Sequence, residues 1–407
     1  MCGIGGIIAC SSGAKPPSRA ELARMARTLH HRGPDESGIS CDGPFGLAHT
    51  RLSIIDLGGG KQPMHDASGR FTLVYNGEVF NYVELREELS SKGRVFRTES
   101  DTEVVLQAWL EWGEAALERF DGQFAIAIVD LHARRLVLAR DRLGVRPLYT
   151  CRHAGRIYFA SEVKAIFAAD PTIPRELDHD GLDETFTFWT AVAPRSVFSG
   201  VDELPAGTIR TYELPSGTCR ERAWFELSFP GRTERAFTGT RDDAAALVRE
   251  SLERAVRLRM LRADVPVAAY LSGGLDSAVV AALAARAAPR FATFSLRFQD
   301  AEYDEGEYQS LVAQRLGTDH HEVHVGRDDI AEVFGDVVEH AERPLLRTAP
   351  APLFLLARRV REHGIKVVLT GEGADEMFAG YDLFREGKVR RSVGPVSYTH
   401  LTLPTKA

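Results

Sequence analysis

Near residue 240 the spacing of apolar residues changes, and the change divides the chain. Before it lie short runs with strand character: FTLVYNGEV (71–79), QFAIAIVDL (123–131), RRLVLARD (134–141) and RIYFASE (156–162). Only YVELREELSSKG (82–93) and DTEVVLQAWLEWG (101–113) have clear helical spacing there. Many strands with few helices predict packed antiparallel sheets. After residue 240 strand and helix alternate. The helix 242–261 leads into strand VPVAAYL (265–271), a Gly-rich turn and helix SAVVAALAARAA (277–288). Strand RFATFSLRF, helix EYQSLVAQRLG, strand HHEVHV, two helical stretches and the strand opening IKVVLTGEG follow. That order predicts a doubly wound parallel sheet. The polar stretch 226–240 has no period and is the expected linker.

Composition narrows the function classes. The net charge is -7, from 57 acidic and 50 basic side chains, and no long basic block offers a footprint for nucleic acid. No apolar run is long enough to cross a bilayer, and MCGIGGIIAC lacks the basic start of a secretion signal. A cytoplasmic protein without membrane or nucleic-acid partners is expected. The five cysteines at 2, 10, 41, 151 and 219 form no CxxC pair, which suggests reduced thiols. The pairs His30–His31 and His320–His321 are poor metal sites, because adjacent side chains on a strand point to opposite faces.

Cys2 is the first candidate for chemistry. Removal of Met1 would leave a thiol and a free α-amine on one residue, and an α-amine titrates near pH 8, close enough to act as the thiol's base. Alone, a cysteine at position 2 reads equally as core. Its company decides otherwise. CGIGG (2–6), HRGPDESG (31–38), AHTRLSIID (48–56), QPM (62–64), YNGEVFN (75–81), ESDTEVV (99–105), DGQFAIAIVD (121–130) and RDRLGVRPLYT (140–150) appear in the order found in class II glutamine amidotransferases, and the segment resembles that family. The resemblance implies an N-terminal-nucleophile hydrolase αββα sandwich over 1–225. It makes Cys2 the nucleophile, Asn76 and Gly77 the oxyanion donors, Arg51 the partner of the glutamine carboxylate, and Glu78 and Asp101 the partners of its ammonium.

LSGGLDS (271–277) sits between a strand and a helix, where backbone amides face an anion. No GK[ST] follows, so it is not a Walker loop. It resembles the pyrophosphate loop of adenylating enzymes. LTGEGADEMFAGY (369–381) is similar to the SGEGxDExFGGY segment of glutamine-hydrolysing asparagine synthetases, with Thr370 for Ser and Ala379 for Gly. The resemblance implies a two-centre enzyme that makes asparagine from aspartate through a β-aspartyl-AMP, with ATP and Mg²⁺ as cofactors and a homodimer as assembly. ATP would be held by Leu271, Ser272, Gly273, Gly274, Asp276, Ser277, Leu296, Thr370 and Gly371. Asp276 and Asp375 would carry magnesium, Glu372 would act beside the acyl-adenylate, and Arg347 would hold the acceptor's carboxylate. Relatives on this scaffold use other acceptor carboxylates. Asp304 and Glu305 read as a solvated acidic face. The resemblance fades near Arg391. It implies an incomplete ATP domain over 241–391, with one sheet face short of helices and with glutaminase activity alone as an alternative, and a non-native tail over 392–407.

Overall fold

The computed structural model describes residues 1–229 and 237–392. Residues 230–236 of the expected linker and nearly all of the expected tail lie outside them. Two six-stranded antiparallel sheets form the first domain. The first contains β1 (Gly3–Ala9), β2 (Glu36–Asp42) and β3 (Phe45–Arg51), and also β8 (Tyr149–His153), β9 (Arg156–Ala160) and β10 (Val201–Glu203), in the order β10-β8-β9-β1-β3-β2. The second contains β4 (Met64–His65), β5 (Phe71–Val79), β6 (Gly122–Asp130), β7 (Arg135–Arg140), β11 (Thr208–Glu213) and β12 (Thr218–Ala223), in the order β12-β11-β7-β6-β5-β4.

Period-two alternation builds three apolar layers from these strands. Ile4 and Ile8 of β1 meet Val74 of β5 and Ala125, Ala127 and Val129 of β6 between the sheets. On the outer side of the first sheet, Ile7 packs with α1 (Arg19–Thr28) and α5 (Val163–Ala169). On the outer side of the second, Leu73, Tyr75 and Val79 pack with α2 (Tyr82–Ser91), α3 (Asp101–Trp112) and α4 (Ala116–Arg119). The αββα sandwich therefore follows from which residues of each strand are apolar. Helix α6 (His179–Phe188), with Phe186 and Phe188 exposed, leads to Trp189 and Thr190, which meet Arg347 and Arg343 of the second domain.

The second domain opens with α7 (Arg241–Leu261), capped by a Thr240–Asp243 box. Strands β13 (Val267–Tyr270), β14 (Ala292–Phe298), β15 (Asp319–Val325) and β16 (Val367–Leu369) form a parallel sheet in the order β15-β14-β13-β16. The chain reverses its direction of winding between β13 and β16, where ligands bind at carboxyl ends of such sheets. Val267 and Ala269 face α7, α8 (Leu275–Ala287) and α9 (Gly306–Leu316). Ala268 and Phe294 face α11 (Pro350–Glu362), against which α10 (Arg327–Ala341) packs. The expected bare face is corrected here: α11 covers it. Exposed apolar groups of this domain include Leu275 on α8, Leu311 on α9, and Met377, Phe378 and Leu383 on α12 (Ala374–Phe378) and α13 (Asp382–Ser392).

Candidate active site

Cys2 immediately precedes β1, at the open end of the space between the sheets. The Leu52 N–H donates to Cys2 Sγ at 3.4 Å, and the thiol lies 3.8 Å from the Leu52 carbonyl. Arg32 Nε donates to the Cys2 carbonyl at 3.0 Å, which fixes the backbone carrying the thiol. Burial pushes the thiol pKa up, so the group needs a base. Burial also brings the α-amine of Met1, on the same cavity wall, down to about 5. That amine is Met1's; the expected base is the α-amine of Cys2 itself, which only removal of Met1 would free.

Opposite lies β5. Val74 points between the sheets and Tyr75 points to the helices, so alternation sends Asn76 and Glu78 to the cysteine side. Asn76 is 1% exposed, and its Nδ2 has no hydrogen-bond partner among the described residues. A buried donor left unmatched is expensive unless a ligand completes it. Gly77 is required by contact, because a Cβ there would lie 2.2 Å from the Gln123 carbonyl on β6.

Asp101 opens α3, whose N-terminus is capped by Ser100 accepting from Glu103 N. Its carboxylate accepts from Tyr75 Oη at 2.8 Å and Val79 N at 3.3 Å. Burial nevertheless raises its pKa to about 6. Burial and the nearby Asp101 raise Glu78 to about 7. Two buried carboxyl groups close together, both resisting ionisation, form a site that a ligand cation would relieve. Arg51 is also buried there, but its guanidinium is engaged: Nη1 donates to Glu36 at 3.0 Å and Leu57 O at 3.2 Å, and Nη2 to Ile55 O at 3.1 Å and Asp56 O at 2.6 Å.

Sequence reasoning missed three residues of this cavity. Arg146 is buried beside Glu78 and Cys2, with its Nε unpartnered. Its signal was a lone cation in the apolar stretch LGVRPLY. Tyr75 anchors Asp101, and Gln62 holds Tyr75 N through Oε1 at 2.6 Å. Both belong to motifs whose members look alike until the fold separates them.

The cavity has a volume of about 720 Å³ and extends into the second domain, where Lys366, Thr370, Glu372 and Gly373 line it. A second cavity of about 380 Å³ lies at the carboxyl ends of β13, β14 and β16. Leu271, Ser272, Gly274, Asp276, Ser277, Leu296, Gly371 and Asp375 line it, again with Thr370, Glu372 and Gly373. The loop is braced from within: Ser272 Oγ and Ser277 Oγ are 2.9 Å apart, and Ser272 N donates to Ser277 Oγ at 3.1 Å. Gly273, in the left-handed region at φ +84, makes the turn but does not line the cavity. Asp276 and Asp375 have no ion-pair partner among the described residues, which suits carboxylates that would hold a hard cation.

Two groups are set apart. The Arg347 guanidinium lies 3.6 Å from the Trp189 ring centroid and lines neither cavity. Asp304 is no solvated acid, a correction to the sequence reading: Arg297 Nε and Nη2 grip it at 2.9 and 2.8 Å, while Glu305 is exposed. His320 and His321 of β15 point to opposite faces, while His30 and His31 lie on a turn after α1. His320 meets Thr293 and His321 stacks on Phe294. His31 meets Glu162 at 3.0 Å and His340 across the domain seam, but Arg32 and Lys164 already neutralise Glu162 at 2.8 Å each.

The glutamine amidotransferase domain family matches residues 1–225, more than half of the chain. The chain belongs to that family. The asparagine synthase family matches residues 247–401. A putative glutamine-hydrolysing asparagine synthetase of Mycobacterium bovis is 35% identical over 98% of this chain and 64% of its own length. Asparagine synthetase 1 of Bacillus subtilis is 34% identical over 95% of this chain and 60% of its own. Asparagine synthetase 3 of Arabidopsis thaliana is 33% identical over 95% and 62%. The chain thus spans less than two thirds of the length of these relatives. Among the described residues no helix is long and apolar enough to cross a membrane.

Proposed function

We propose that the chain hydrolyses glutamine at Cys2 and uses the ammonia to amidate the side-chain carboxylate of aspartate, with ATP as activator. The observation that carries this reading is that the cysteine cavity and the LSGGLDS cavity share Thr370, Glu372 and Gly373. Ammonia formed at one end would meet an activated carboxylate at the other without crossing bulk water.

After Met1 is removed, Cys2 Sγ attacks the glutamine amide carbon, having lost its proton to the α-amine of Cys2 itself. Asn76 Nδ2 and the Gly77 N–H stabilise the oxyanion, and the unmatched Nδ2 is already desolvated for that task. Collapse expels ammonia and leaves a thioester, which water cleaves to glutamate. Asp101 and Glu78 hold the substrate's ammonium, and Arg51 its carboxylate, sharing its donors with the loop 55–57. In the second cavity the Gly-rich loop and the start of α8 receive the phosphates of ATP, and Leu271 and Leu296 flank the base. Aspartate attacks the α-phosphorus, releasing pyrophosphate and forming β-aspartyl-AMP. Ammonia then displaces AMP, with Glu372 beside the reacting carbon. Asp276 and Asp375 would hold Mg²⁺, which neutralises phosphate charge. The domain limits, 1–225 and 241–391, belong to this reading, as do a cytoplasmic setting and a homodimeric assembly. A second acceptor carboxylate is favoured to the extent that Arg347 stacks on Trp189 instead of lining the cavity.

The test supplies purified chain with ¹⁵N-amide glutamine, aspartate and Mg-ATP. Labelled asparagine with equimolar pyrophosphate is expected. Glutamate and free ammonia without pyrophosphate would reject the ATP half of the reading. Pyrophosphate released with a different acceptor would replace aspartate alone.

A further inference from the structure

The segment Leu52–Asp56 lies between the two domains and is held from both sides. On one side Leu52 supplies both backbone contacts to Cys2 Sγ, and Ile55 and Asp56 carbonyls bind Arg51. On the other side the second domain grips the same backbone at two points. Asp264, just before β13, donates its N–H to Ile54 O at 2.9 Å and accepts from Asp56 N at 2.7 Å. Lys366, just before β16, donates Nζ to Ser53 O at 3.2 Å and to Asp35 Oδ2 at 2.6 Å. That carboxylate oxygen also accepts from Ser53 N at 2.7 Å, so Lys366 and Asp35 clamp both polar groups of the Ser53 backbone.

We infer that Lys366 is a positioning residue for the Cys2 thiol, acting through Asp35 and Ser53 on Leu52. The inference rests on the proposed glutaminase role of Cys2. The clamped Ser53 is bonded directly to Leu52, whose N and O atoms touch the thiol. Lys366 also immediately precedes the short strand β16, which leads into Thr370, Glu372 and Gly373, the wall common to both cavities. A shift of that strand therefore moves the Leu52 amide, and with it the sulfur. Burial would raise the Asp35 pKa, but the hydrogen bonds from Lys366 and Ser53 hold it below the ordinary carboxylate value, so the carboxylate stays charged through the neutral range. Lys366 makes no hydrogen bond to Arg51, Asp101 or Asn76, and Asp35 meets Arg51 only through the backbone, its N–H donating to the Arg51 carbonyl at 3.0 Å, so the clamp leaves the side-chain groups that bind substrate in place.

The experiment compares Lys366→Met, Lys366→Arg and wild type as the full 407-residue chain. Two readouts are used: glutamine hydrolysis with kcat and KM separated, and the pH dependence of Cys2 alkylation by iodoacetamide, followed on the Cys2 peptide by mass spectrometry. Lys366→Met should lower kcat about tenfold or more with KM within twofold, and should shift the pH midpoint of Cys2 alkylation. Lys366→Arg should restore most of both. A folded Lys366→Met protein with wild-type kcat and alkylation profile overturns the inference. So does a loss of thermal stability with kcat and KM changed alike and the alkylation profile unmoved. If the wild type hydrolyses no glutamine yet the alkylation midpoint still moves in Lys366→Met, the glutaminase reading fails and the positioning role stands.

Discussion

Asp101 is an acid held where its charge is unwelcome, and its replacement by asparagine should separate stability from function. The carboxyl is 5% exposed and burial raises its pKa from 3.8 to about 6. That gap of roughly 2, at 1.36 kcal/mol for each pKa unit, places about 3 kcal/mol of unfavourable ionisation in the folded state above pH 6. Asparagine has no charge to desolvate, and its one carbonyl oxygen can still accept from Tyr75 Oη and Val79 N, which both reach Oδ2 of the aspartate. Neutral hydrogen bonds are, however, weaker than charged ones. The balance should leave Asp101→Asn more stable by about 1–2 kcal/mol at pH 7, or roughly 2–6 °C in Tm for a domain of this size. The sign follows from the raised pKa. The folded state binds a proton more tightly than the unfolded state, so the wild type is penalised above both values and not below them. The advantage of the variant should shrink as pH falls from 7 to 5 and vanish near pH 4. The same substitution should abolish the thermal shift that saturating glutamine gives the wild type, because the ammonium loses a charged partner. Thermal unfolding at pH 8, 7, 6 and 5, with and without glutamine, measures both effects. A variant less stable than wild type at pH 7, or one whose advantage does not shrink in acid, would refute the electrostatic account.

The remaining predictions concern the other groups. Asn76→Ala should lower glutaminase kcat by about 10²–10³, with KM little changed, as steady-state kinetics would reveal. Cys2→Ala should abolish glutamine-dependent synthesis and leave ammonia-dependent synthesis; equal loss of both would contradict two separate centres. Asp276→Asn or Asp375→Asn should cut pyrophosphate release by at least about a hundredfold while glutamine hydrolysis persists, since each removes a hard anionic ligand. The KM for glutamine should rise as pH falls through 7 to 6, where Glu78 and Asp101 take up protons and lose their attraction for ammonium.

Much of this molecule was determined locally. The period-two runs of β5, β6, β7 and β9 carry one apolar set for the inter-sheet layer and another for the helices, so packed antiparallel sheets follow from residue order, while the αββα layering was implied by the family resemblance. The alternation after residue 240 dictates the parallel sheet, because a parallel strand must return through a crossover. The Gly-rich loop before α8 and the placement of Asn76 and Gly77 on β5 were legible for the same reason: short-range geometry sets them.

The tertiary structure decided what depends on residues distant in the chain. The Arg51 donors are occupied by Glu36 and the loop 55–57, a fact about how the chain returns on itself. Arg347 meets Trp189 across the domain seam, and Asp304 meets Arg297 across a turn; neither sequence segment records its partner. The raised pKa values of Glu78 and Asp101 come from burial and mutual repulsion, which exist only once β5 and α3 pack together. Lys366 looks like any lysine at the start of a strand until Asp35, more than three hundred residues earlier, is brought within 2.6 Å of it. Backbone propensity and apolar period act over a few residues, whereas electrostatic pairing and desolvation act through space, and only the folded chain defines that space.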